Sequence, residues 1–265
     1  MSDIASVAGI YDDDELAALY DLVYDGYDAD VAMYEQFAAR GDGPSLEIAA
    51  GSGRVALHLA RAGHEVVCAD ASPHMLARLK ARLDSETAAR VRTVEADMRD
   101  FELGQTFSLV YCAFFSFEQL LTTADQLAAL RCVRRHLAPG GVFVMELRSL
   151  TAVSWDDEAA PLQYDWTRRD PETGDLVTKL RASTASRATQ RTLDTIIFDR
   201  HRPDGSVRRR ILEVALRVTG RYELELLLER AGLKLRHVYG GPDLSPYDDA
   251  SDSMVVVAEL EGPGA

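Results

Sequence analysis

A glycine-rich turn between two short apolar runs constrains the fold of this chain more than any other feature. The first run, residues 45–48, precedes Ala-Ala-Gly-Ser-Gly and an apolar pattern with helical spacing, and the second run ends at Asp70. This order predicts a β-α-β unit, in which glycines let the backbone approach a ligand and the helix presents free N-terminal amides. An acid that closes the second strand can accept hydrogen bonds from both hydroxyls of a ribose. A nucleotide-binding site is one interpretation, and an ordinary strand–turn–helix is the other.

The turn does not suit a dinucleotide. Gly51 and Gly53 are present, but Ala56 occupies the position of the third glycine in the dinucleotide spacing. Glu47, just before the turn, would repel a pyrophosphate by roughly 1–4 kcal/mol at about 4 Å. An acid at this position favours a cationic ligand without phosphate. S-adenosylmethionine, which carries a sulfonium and an ammonium group, has that character.

Five segments, in order and at the expected spacing, resemble the motifs of class I S-adenosylmethionine-dependent methyltransferases. They are residues 47–54, 70–76, 95–101, 107–112 and 137–144. The resemblance extends over nearly the whole chain, although Ala50 stands where Gly or Cys is common in the family. It implies a Rossmann-like α/β fold with a seven-stranded, mostly parallel sheet and helices on both faces. S-adenosylmethionine is accordingly the expected cofactor, and no metal ion is expected.

The resemblance also implies roles in cofactor binding for particular positions. Glu47 and the backbone of the turn are expected near the methionine part, Asp70 at the ribose hydroxyls, and Asp97 at the adenine amino group. A simple turn residue is the alternative for Asp97. The full expected set is Glu47, Ala49, Gly51, Gly53, Arg54, Asp70, Ala71, Met75, Asp97, Met98 and Ala113.

Hydrophobic periodicity indicates how the core and its N-terminal extension are arranged. Apolar residues with helical spacing predict two helices within residues 1–43, which would form a helical lid over the site. Strand and helix patterns alternate over residues 44–149 and return over residues 219–261. These two segments are expected to form the cofactor-binding core, because such alternation produces a parallel sheet covered by helices.

An insertion separates the two parts of the core. Turn signals at residues 171–175 and 203–206 divide residues 150–218 into strand-like runs, which predicts a small antiparallel β-sheet. Thr219 is expected to cap the helix that follows. Because specificity commonly resides in segments added to a fold, this insertion and the lid are expected to bind the acceptor. The insertion could also join two copies of the chain in a homo-oligomer, since antiparallel sheet edges pair readily.

The acceptor is expected to enter beyond the fourth strand. Phe114, Phe115 and Phe117 would form an apolar wall there, with core burial as the alternative for at least one of them. This segment is similar to that of the amino-sugar N-methyltransferases of antibiotic biosynthesis, although Gln119 stands where those relatives have a histidine. Because glutamine cannot act as a general base, Glu118 or an N-terminal tyrosine could take that role. The residues proposed for catalysis are Tyr11, Tyr20, Phe117, Glu118 and Gln119.

These residues favour methylation of an amine. Methyl transfer from a sulfonium is an in-line displacement, in which the protein mainly aligns the acceptor and excludes water. A natural-product amine, such as an amino sugar, must only lose its ammonium proton, and an apolar pocket promotes that loss. An O-methyltransferase for a hydroxyl or carboxyl group is the second interpretation. A protein that binds the cofactor without catalysis is the third.

Composition narrows the partners and the location. The chain has 43 acidic residues against 29 lysines and arginines, which disfavours a nucleic-acid substrate because phosphate binding needs a basic surface. No apolar run approaches the ~20 residues that cross a bilayer, so no membrane association is expected. The three cysteines lack C-x-x-C spacing and indicate neither a disulfide framework nor a zinc site. A reducing cytoplasm is therefore the expected location.

Overall fold

Eleven β-strands and six α-helices make up the computed structural model, which describes residues 13–24, 26–155 and 161–262. The strands are β1 (Ser45–Ile48), β2 (Val66–Asp70), β3 (Val91–Glu95), β4 (Phe107–Cys112), β5 (Leu137–Arg148), β6 (Gln163–Arg169), β7 (Leu176–Ser186), β8 (Arg191–His201), β9 (Val207–Arg217), β10 (Leu233–Tyr239) and β11 (Ser253–Leu260). The helices are α1 (Asp14–Tyr24), α2 (Val31–Ala38), α3 (Arg54–Arg61), α4 (Pro73–Ala81), α5 (Thr123–His136) and α6 (Arg221–Ala231).

The larger sheet has seven strands in the order β10-β11-β5-β4-β1-β2-β3. β11 is antiparallel to both of its neighbours, and the other pairs are parallel. The chain proceeds from β1 to β2 and β3 on one side and from β4 to β5 on the other. The carboxyl ends of β1 and β4 therefore flank the crevice at which open α/β sheets bind their ligands. This arrangement confirms the predicted Rossmann-like fold.

Apolar side chains bury both faces of this sheet. On β1, Leu46 and Ile48 belong to the cluster that also contains residues of α5 and α6. Side chains alternate along a strand, so Glu47 points to the opposite face, where α2 and α3 pack. A parallel strand buried on both faces has no solvent side. Glu47, in the middle of β1, is consequently buried inside the protein.

The second sheet is the predicted antiparallel insertion. Its order is β6-β7-β8-β9, and hairpins at 169–176, 186–191 and 201–207 connect its strands. One face of this sheet packs against α1, whose Leu16 and Leu19 share an apolar cluster with Val177 and Phe198. α1 also contacts α4 of the core. The first helix is therefore held between the insertion and the larger sheet.

The expected cap of α6 is wrong. The residue before the helix is Gly220, which has extended backbone angles and makes no side-chain cap. Thr219 is buried, and its hydroxyl accepts a hydrogen bond of 2.9 Å from the side-chain amide of Gln126 on α5. The helix thus begins one residue later than predicted, and the Thr219 hydroxyl bonds to α5.

The helices and the cysteines are relevant to membrane insertion and to disulfide bonding. In the described part of the chain, no helix combines the length and the apolar composition needed to cross a membrane. Cys68, Cys112 and Cys132 are free thiols, and all three are buried.

Candidate active site

A cleft of about 570 Å³ lies at the carboxyl ends of β1, β2 and β4. The turns after β1, β2 and β3 line one part of it, which we call the cofactor half. The other part, the acceptor half, is lined by α1, by the segment 114–122 after β4, and by the face of the second sheet that packs against α1. The cleft therefore runs between the core and the insertion.

The turn after β1 has an unusual backbone. Ala49, Gly51 and Gly53 all have positive φ, at 54°, 57° and 83°. A Cβ atom on Gly53 would lie 2.7 Å from Cγ of Leu79, so this position has no room for a side chain. The turn leads directly into α3, and Ala49 and Gly51 line the cleft. The glycine turn therefore brings its backbone to the cleft.

Asp70 closes β2 and joins this turn to the next one. Its Oδ2 accepts a hydrogen bond of 2.7 Å from the Gly51 amide, and its Oδ1 accepts one of 2.8 Å from the Ser72 amide. Burial raises the pKa of the Asp70 carboxyl, and these two amides oppose the rise. Each carboxylate oxygen can accept a further hydrogen bond. Since Asp70 lines the cleft, it can receive two vicinal hydroxyls there.

The turn after β3 supplies the far end of the cofactor half. Asp97 and Met98 both line the cleft, as do Ala71 and Met75 from the turn after β2 and the start of α4. Asp97 also closes its own turn, because its carbonyl accepts from the Asp100 amide at 3.0 Å. The hydrogen bond from the Arg99 side chain lowers the pKa of the Asp97 carboxyl.

Glu47 and Arg54 do not line the cleft, contrary to their expected direct role. Glu47 is 2% exposed, and one of its oxygens accepts hydrogen bonds of 3.1 Å from the Ala56 amide and from the Tyr111 hydroxyl. Burial raises the pKa of Glu47 to about 8. Arg54 forms two hydrogen bonds, of 2.5 and 2.7 Å, with the buried carboxylate of Asp30. Both side chains stabilise the turn from inside the protein, because β1 and α3 direct them away from the cleft.

Gly53 and Ala113 are also absent from the lining of the cleft. The side of Gly53 that would carry a Cβ faces Leu79 of α4, and Ala113 is 6% exposed among apolar neighbours. Their contribution is to the course of the backbone. Seven of the eleven expected cofactor residues therefore line the cleft: Ala49, Gly51, Asp70, Ala71, Met75, Asp97 and Met98.

The acceptor half contains two of the residues proposed for catalysis, Tyr20 and Gln119. The ring of Tyr20 lies over Gly51, with Cε1 3.9 Å from the point that a Cβ would occupy. Phe114 and Phe115 line the cleft as expected, and both have left-handed backbones, with φ of 53° and 61°. Such angles in bulky residues cost on the order of 1–3 kcal/mol each and cluster at functional sites.

Phe117 and Glu118 are placed elsewhere, and their expected position in the acceptor pocket is wrong. Phe117 is 0% exposed and belongs to the cluster that contains α5 and α6. Glu118 is also 0% exposed, and its Oε2 lies 2.7 Å from Nε of Arg148. The two left-handed residues redirect the chain into a 3₁₀ turn over Ser116–Gln119, which points these side chains inward. Tyr11, the remaining candidate, lies outside the described residues.

Comparison with known proteins identifies the family. A family profile described as a methyltransferase domain matches residues 46–141. The chain is 30% identical over 233 residues to dTDP-3-amino-3,4,6-trideoxy-alpha-D-glucopyranose N,N-dimethyltransferase of Streptomyces venezuelae, which covers 85% of this chain and 93% of that protein. The chain belongs to the S-adenosylmethionine-dependent methyltransferases.

Two further similarities agree with this assignment. The methyltransferase is 29% identical over 218 residues to the cypemycin N-terminal methyltransferase of a Streptomyces species, with 82% of each chain covered. Among solved structures, the CcbJ methyltransferase from Streptomyces caelestis superimposes with a TM-score of 0.76 at 26% identity, covering 89% of this chain and 97% of that one. The similarity therefore includes the second sheet as well as the core.

The charges of the cofactor half fit S-adenosylmethionine, the cofactor of this family. Asp70, Asp97 and Asp125 line the cleft, and Arg99, which also lines it, forms ion pairs with the last two. A half with excess carboxylate suits a nucleoside that carries a sulfonium and an ammonium and lacks phosphate. Asp70 would hold the ribose hydroxyls, and Asp97 with Met98 would contact the adenine.

The insertion contributes side chains to the cleft that the sequence analysis does not name individually. Eight of its side chains line the cleft of the methyltransferase: Lys179, Arg191, Asp194, Ile196, Phe198, Leu212, Val214 and Leu216. The alternation of the last six along two strands is a signal of a shared face. Which face covers the cleft depends on how the sheet packs against α1, and the strand pattern alone does not contain that information.

Two tyrosines, Tyr20 and Tyr24, line the acceptor half. Burial raises the pKa of Tyr20 and of Tyr24 above the ordinary value, so both hydroxyls stay protonated near neutral pH. Among the described residues that line the cleft there is no histidine or cysteine. The same described residues contain no cluster of three or more histidines, cysteines or acids arranged to hold a metal ion.

Proposed function

We propose that this methyltransferase methylates an amine nitrogen of a small natural-product acceptor, with amino sugars as the leading class. The observation that carries the proposal is the make-up of the acceptor half. Apolar faces of α1 and of the second sheet enclose one carboxylate of the insertion, Asp194, together with the protonated phenols of Tyr20 and Tyr24. The Streptomyces venezuelae relative is named for a 3-amino sugar, which supports the same class of acceptor.

The chemistry favours nitrogen over oxygen. When bound, S-adenosylmethionine supplies a methyl group that is already activated by its sulfonium. A neutral amine brings its own lone pair, whereas a hydroxyl must lose a proton to a base as it reacts. An alkylamine of pKa ~10 is mostly protonated at pH 7, a handicap of ~4 kcal/mol. The apolar walls of the acceptor half destabilise the ammonium and recover part of that cost.

Matched acceptors test the proposal. The full chain is incubated with ¹³C-methyl-labelled S-adenosylmethionine and either methyl 3-amino-3-deoxyglucopyranoside or methyl glucopyranoside, which differ only in NH₂ against OH at one carbon. We expect the label on nitrogen, with kcat/KM for the amine about 10²-fold higher than for the hydroxyl. A peptide with a free N-terminus serves as a second amine, because one relative is named for such a substrate. Label on oxygen would contradict the proposal and favour the O-methyltransferase alternative.

The dependence of rate on pH gives a second test. If a neutral amine of pKa ~10 is the reacting form, the single-turnover rate should rise between about pH 6 and 9. A flat profile over this range, with the chemical step shown to be rate-limiting, would count against an amine acceptor. Binding of S-adenosylmethionine without transfer to any of these acceptors would favour the non-catalytic alternative.

We also propose that different segments of the chain bind the cofactor and select the acceptor. Residues 44–149 and 219–261 would bind the cofactor, while the insertion over 150–218 and the N-terminal lid over 1–43 would select the acceptor. Two apolar surfaces of different origin, one from α1 and one from the second sheet, meet over the cleft. This is the arrangement that such a division requires.

Two copies of the chain are proposed to pair through the outer face of the second sheet. Tyr164, Leu180, Ile197 and Ile211 lie directly opposite one another across its four strands. Tyr164 is 64% exposed and Ile211 is 58% exposed, although both are large and apolar. Light scattering should give a dimer that Ile211→Lys converts to monomer. Leu226→Lys, at an equally exposed position of α6, is the control that should not change the mass.

We also propose that the enzyme works in the cytoplasm. Its three cysteines are free, as is usual for a protein of a reducing compartment. Fractionation of the producing cells, with activity followed in the soluble and membrane fractions, tests this location. Activity recovered outside the cytoplasmic fraction would contradict it.

A further inference from the structure

Asp194 is the carboxylate that the second sheet places in the acceptor half. It lies on β8, opposite Ser183 of β7 and Val214 of β9, and it lines the cleft. The Ser183 hydroxyl donates a hydrogen bond of 2.5 Å to Asp194 Oδ1. After burial, the charge of Asp194 is the largest influence that raises the pKa of Tyr24. The carboxylate is therefore held by the sheet and faces α1 across the cleft.

The cations around Asp194 are engaged with other groups. Arg148 pairs with Glu118, Lys179 and Arg181 pair with Asp165, and Arg191 donates to the carbonyl of Leu121. Within the part of the chain that the structure describes, Asp194 has no ion-pair partner. Ser183 is its one hydrogen-bond donor among the same residues. A half-buried carboxylate next to Val214 and Ile196 leaves most of its accepting capacity to a ligand.

We propose that Asp194 anchors the amino group of the acceptor and makes the enzyme prefer an amine over a hydroxyl. This inference rests on the proposed function and assigns its selectivity to one side chain. Before transfer, the carboxylate attracts the ammonium form of the acceptor, water takes one proton from that ammonium, and the resulting neutral amine donates an N–H hydrogen bond to the carboxylate. Ser183, which binds the other side of the carboxylate, fixes its orientation and acts as a positioning residue.

The charge changes of the reaction explain why this carboxylate also increases the rate. The amine lone pair forms the new N–C bond, the C–S bond breaks, and its electron pair stays on sulfur. Positive charge thus moves from sulfur to nitrogen, and water takes the surplus proton from nitrogen after product release. A carboxylate beside nitrogen interacts more strongly with the transition state than with the neutral amine. When kcat is measured at a pH high enough for the bound amine to be neutral, removal of the carboxylate should consequently lower kcat and not only raise KM.

Ligand binding measured without turnover is the first part of the test. The probes are the 3-amino glucoside, whose ammonium form can donate hydrogen bonds, and the neutral glucoside, each titrated in the presence of S-adenosylhomocysteine. Asp194→Asn should weaken binding of the cation by about 10- to 150-fold, the range for a hydrogen-bonded charge. Binding of the neutral glucoside and of S-adenosylmethionine should change by less than about twofold. Glu213→Gln, which removes a charge from the exposed outer face of β9, is the matched control.

Kinetics complete the test. For the amino glucoside, Asp194→Asn should lower kcat/KM by about 10- to 150-fold, with a fall in kcat at a pH at which the bound amine is neutral. Ser183→Ala should lower kcat/KM less. Asp194→Glu should recover part of the loss. Unchanged cation binding and kinetics in Asp194→Asn would overturn the inference while leaving amine methylation intact. Loss of S-adenosylmethionine binding in the same variant would assign Asp194 a structural role instead. Methylation on oxygen by the wild-type enzyme would show that the proposed function itself had failed.

Discussion

The two halves of the cleft are built in different ways. The cofactor half consists of backbone turns at the ends of neighbouring strands, and Asp70 joins two of these turns by hydrogen bonds to Gly51 and Ser72. The acceptor half is assembled from α1, the segment after β4 and the second sheet, which are far apart in the sequence. A site made from consecutive turns is fixed as soon as its strands pair. A site made from separate elements depends on the side chains that hold those elements together.

Side chains of α1 show this dependence. Asp21 accepts hydrogen bonds from Ser52 in the turn after β1 and from Nε of Arg78 on α4, the second at 2.5 Å. Arg78 also donates to Glu172 in a hairpin of the second sheet. We call these four residues the lid network. Through it, one helix is tied both to the cofactor turn and to the insertion.

The largest effect is expected where a buried charge supports the cofactor half. Asp30→Ala would leave the guanidinium of Arg54 without its carboxylate partner and without two of its three hydrogen bonds, and Asp30 is 0% exposed. Loss of one partner from a buried pair typically costs about 3–5 kcal/mol of unfolding free energy. Urea denaturation should show this loss. Glu259→Gln, which breaks the exposed pair with Arg236, should change the same quantity by less than about 1 kcal/mol. Similar small changes in both variants would contradict the account of the cofactor half.

The second effect is a fall in stability with pH. The pKa of Glu47 is about 8 in the folded protein, against 4.5 for a solvated glutamate, and that of Glu146 is about 7. Between pH 4.5 and the raised pKa of each carboxyl, that carboxyl is ionised in the unfolded chain but still protonated in the folded chain. Rising pH therefore favours unfolding over this range. The ionisation of Glu47 alone should lower the free energy of unfolding by roughly 3 kcal/mol as the pH rises from 5 to 7.5. Glu47→Gln cannot titrate, and its denaturation midpoint should fall less over this range. An identical pH dependence in both proteins would be inconsistent with a buried Glu47.

The third effect separates the halves directly. Asp70→Ala removes the group that would hold the ribose and also the acceptor of two backbone hydrogen bonds. Calorimetry should show S-adenosylmethionine affinity reduced by about 1.5–3 kcal/mol, the range for a charged hydrogen bond. Asp249→Ala, at an exposed position outside the cleft, should bind like the wild type. Unchanged affinity in Asp70→Ala would remove the basis for the ribose assignment.

The smallest effect is expected in the lid network. Asp21→Asn weakens the hydrogen bonds from α1 to Ser52 and Arg78. Because these groups are partly exposed, the free energy that holds the lid closed should fall by about 0.5–1 kcal/mol. The dissociation rate of S-adenosylmethionine, followed by stopped flow, should rise by about two- to fivefold because the lid opens more often. Asp28→Asn, exposed on the connection between α1 and α2, should dissociate at the wild-type rate. Equal rates in all three proteins would show that the lid network does not limit release.

The same comparison explains what the sequence could predict. The cofactor turn, its flanking strands and Asp70 follow from local backbone preferences, and the antiparallel insertion follows from strand alternation and turn residues. The sequence could not separate Phe115 from Phe117, because two left-handed residues and a 3₁₀ turn decide which ring enters the core. It could not place Asp194 in the cleft either, since that residue reaches the cleft only when β8 packs over α1. The sequence places Glu47 on the correct strand, but the face of the strand determines that it supports the turn and does not line the cleft.

An exchange of the insertion tests the separation of the two halves most directly. Residues 150–218 are replaced by the corresponding segment of the Streptomyces venezuelae relative, and S-adenosylmethionine affinity and acceptor preference are measured on the same preparation. Circular dichroism first confirms that the exchanged protein is folded. Because the cofactor half is built from turns of the core and not from the insertion, we expect a cofactor Kd within a few-fold of the wild type, together with a changed ranking of acceptors. Loss of cofactor binding with the original acceptor ranking retained would contradict the account.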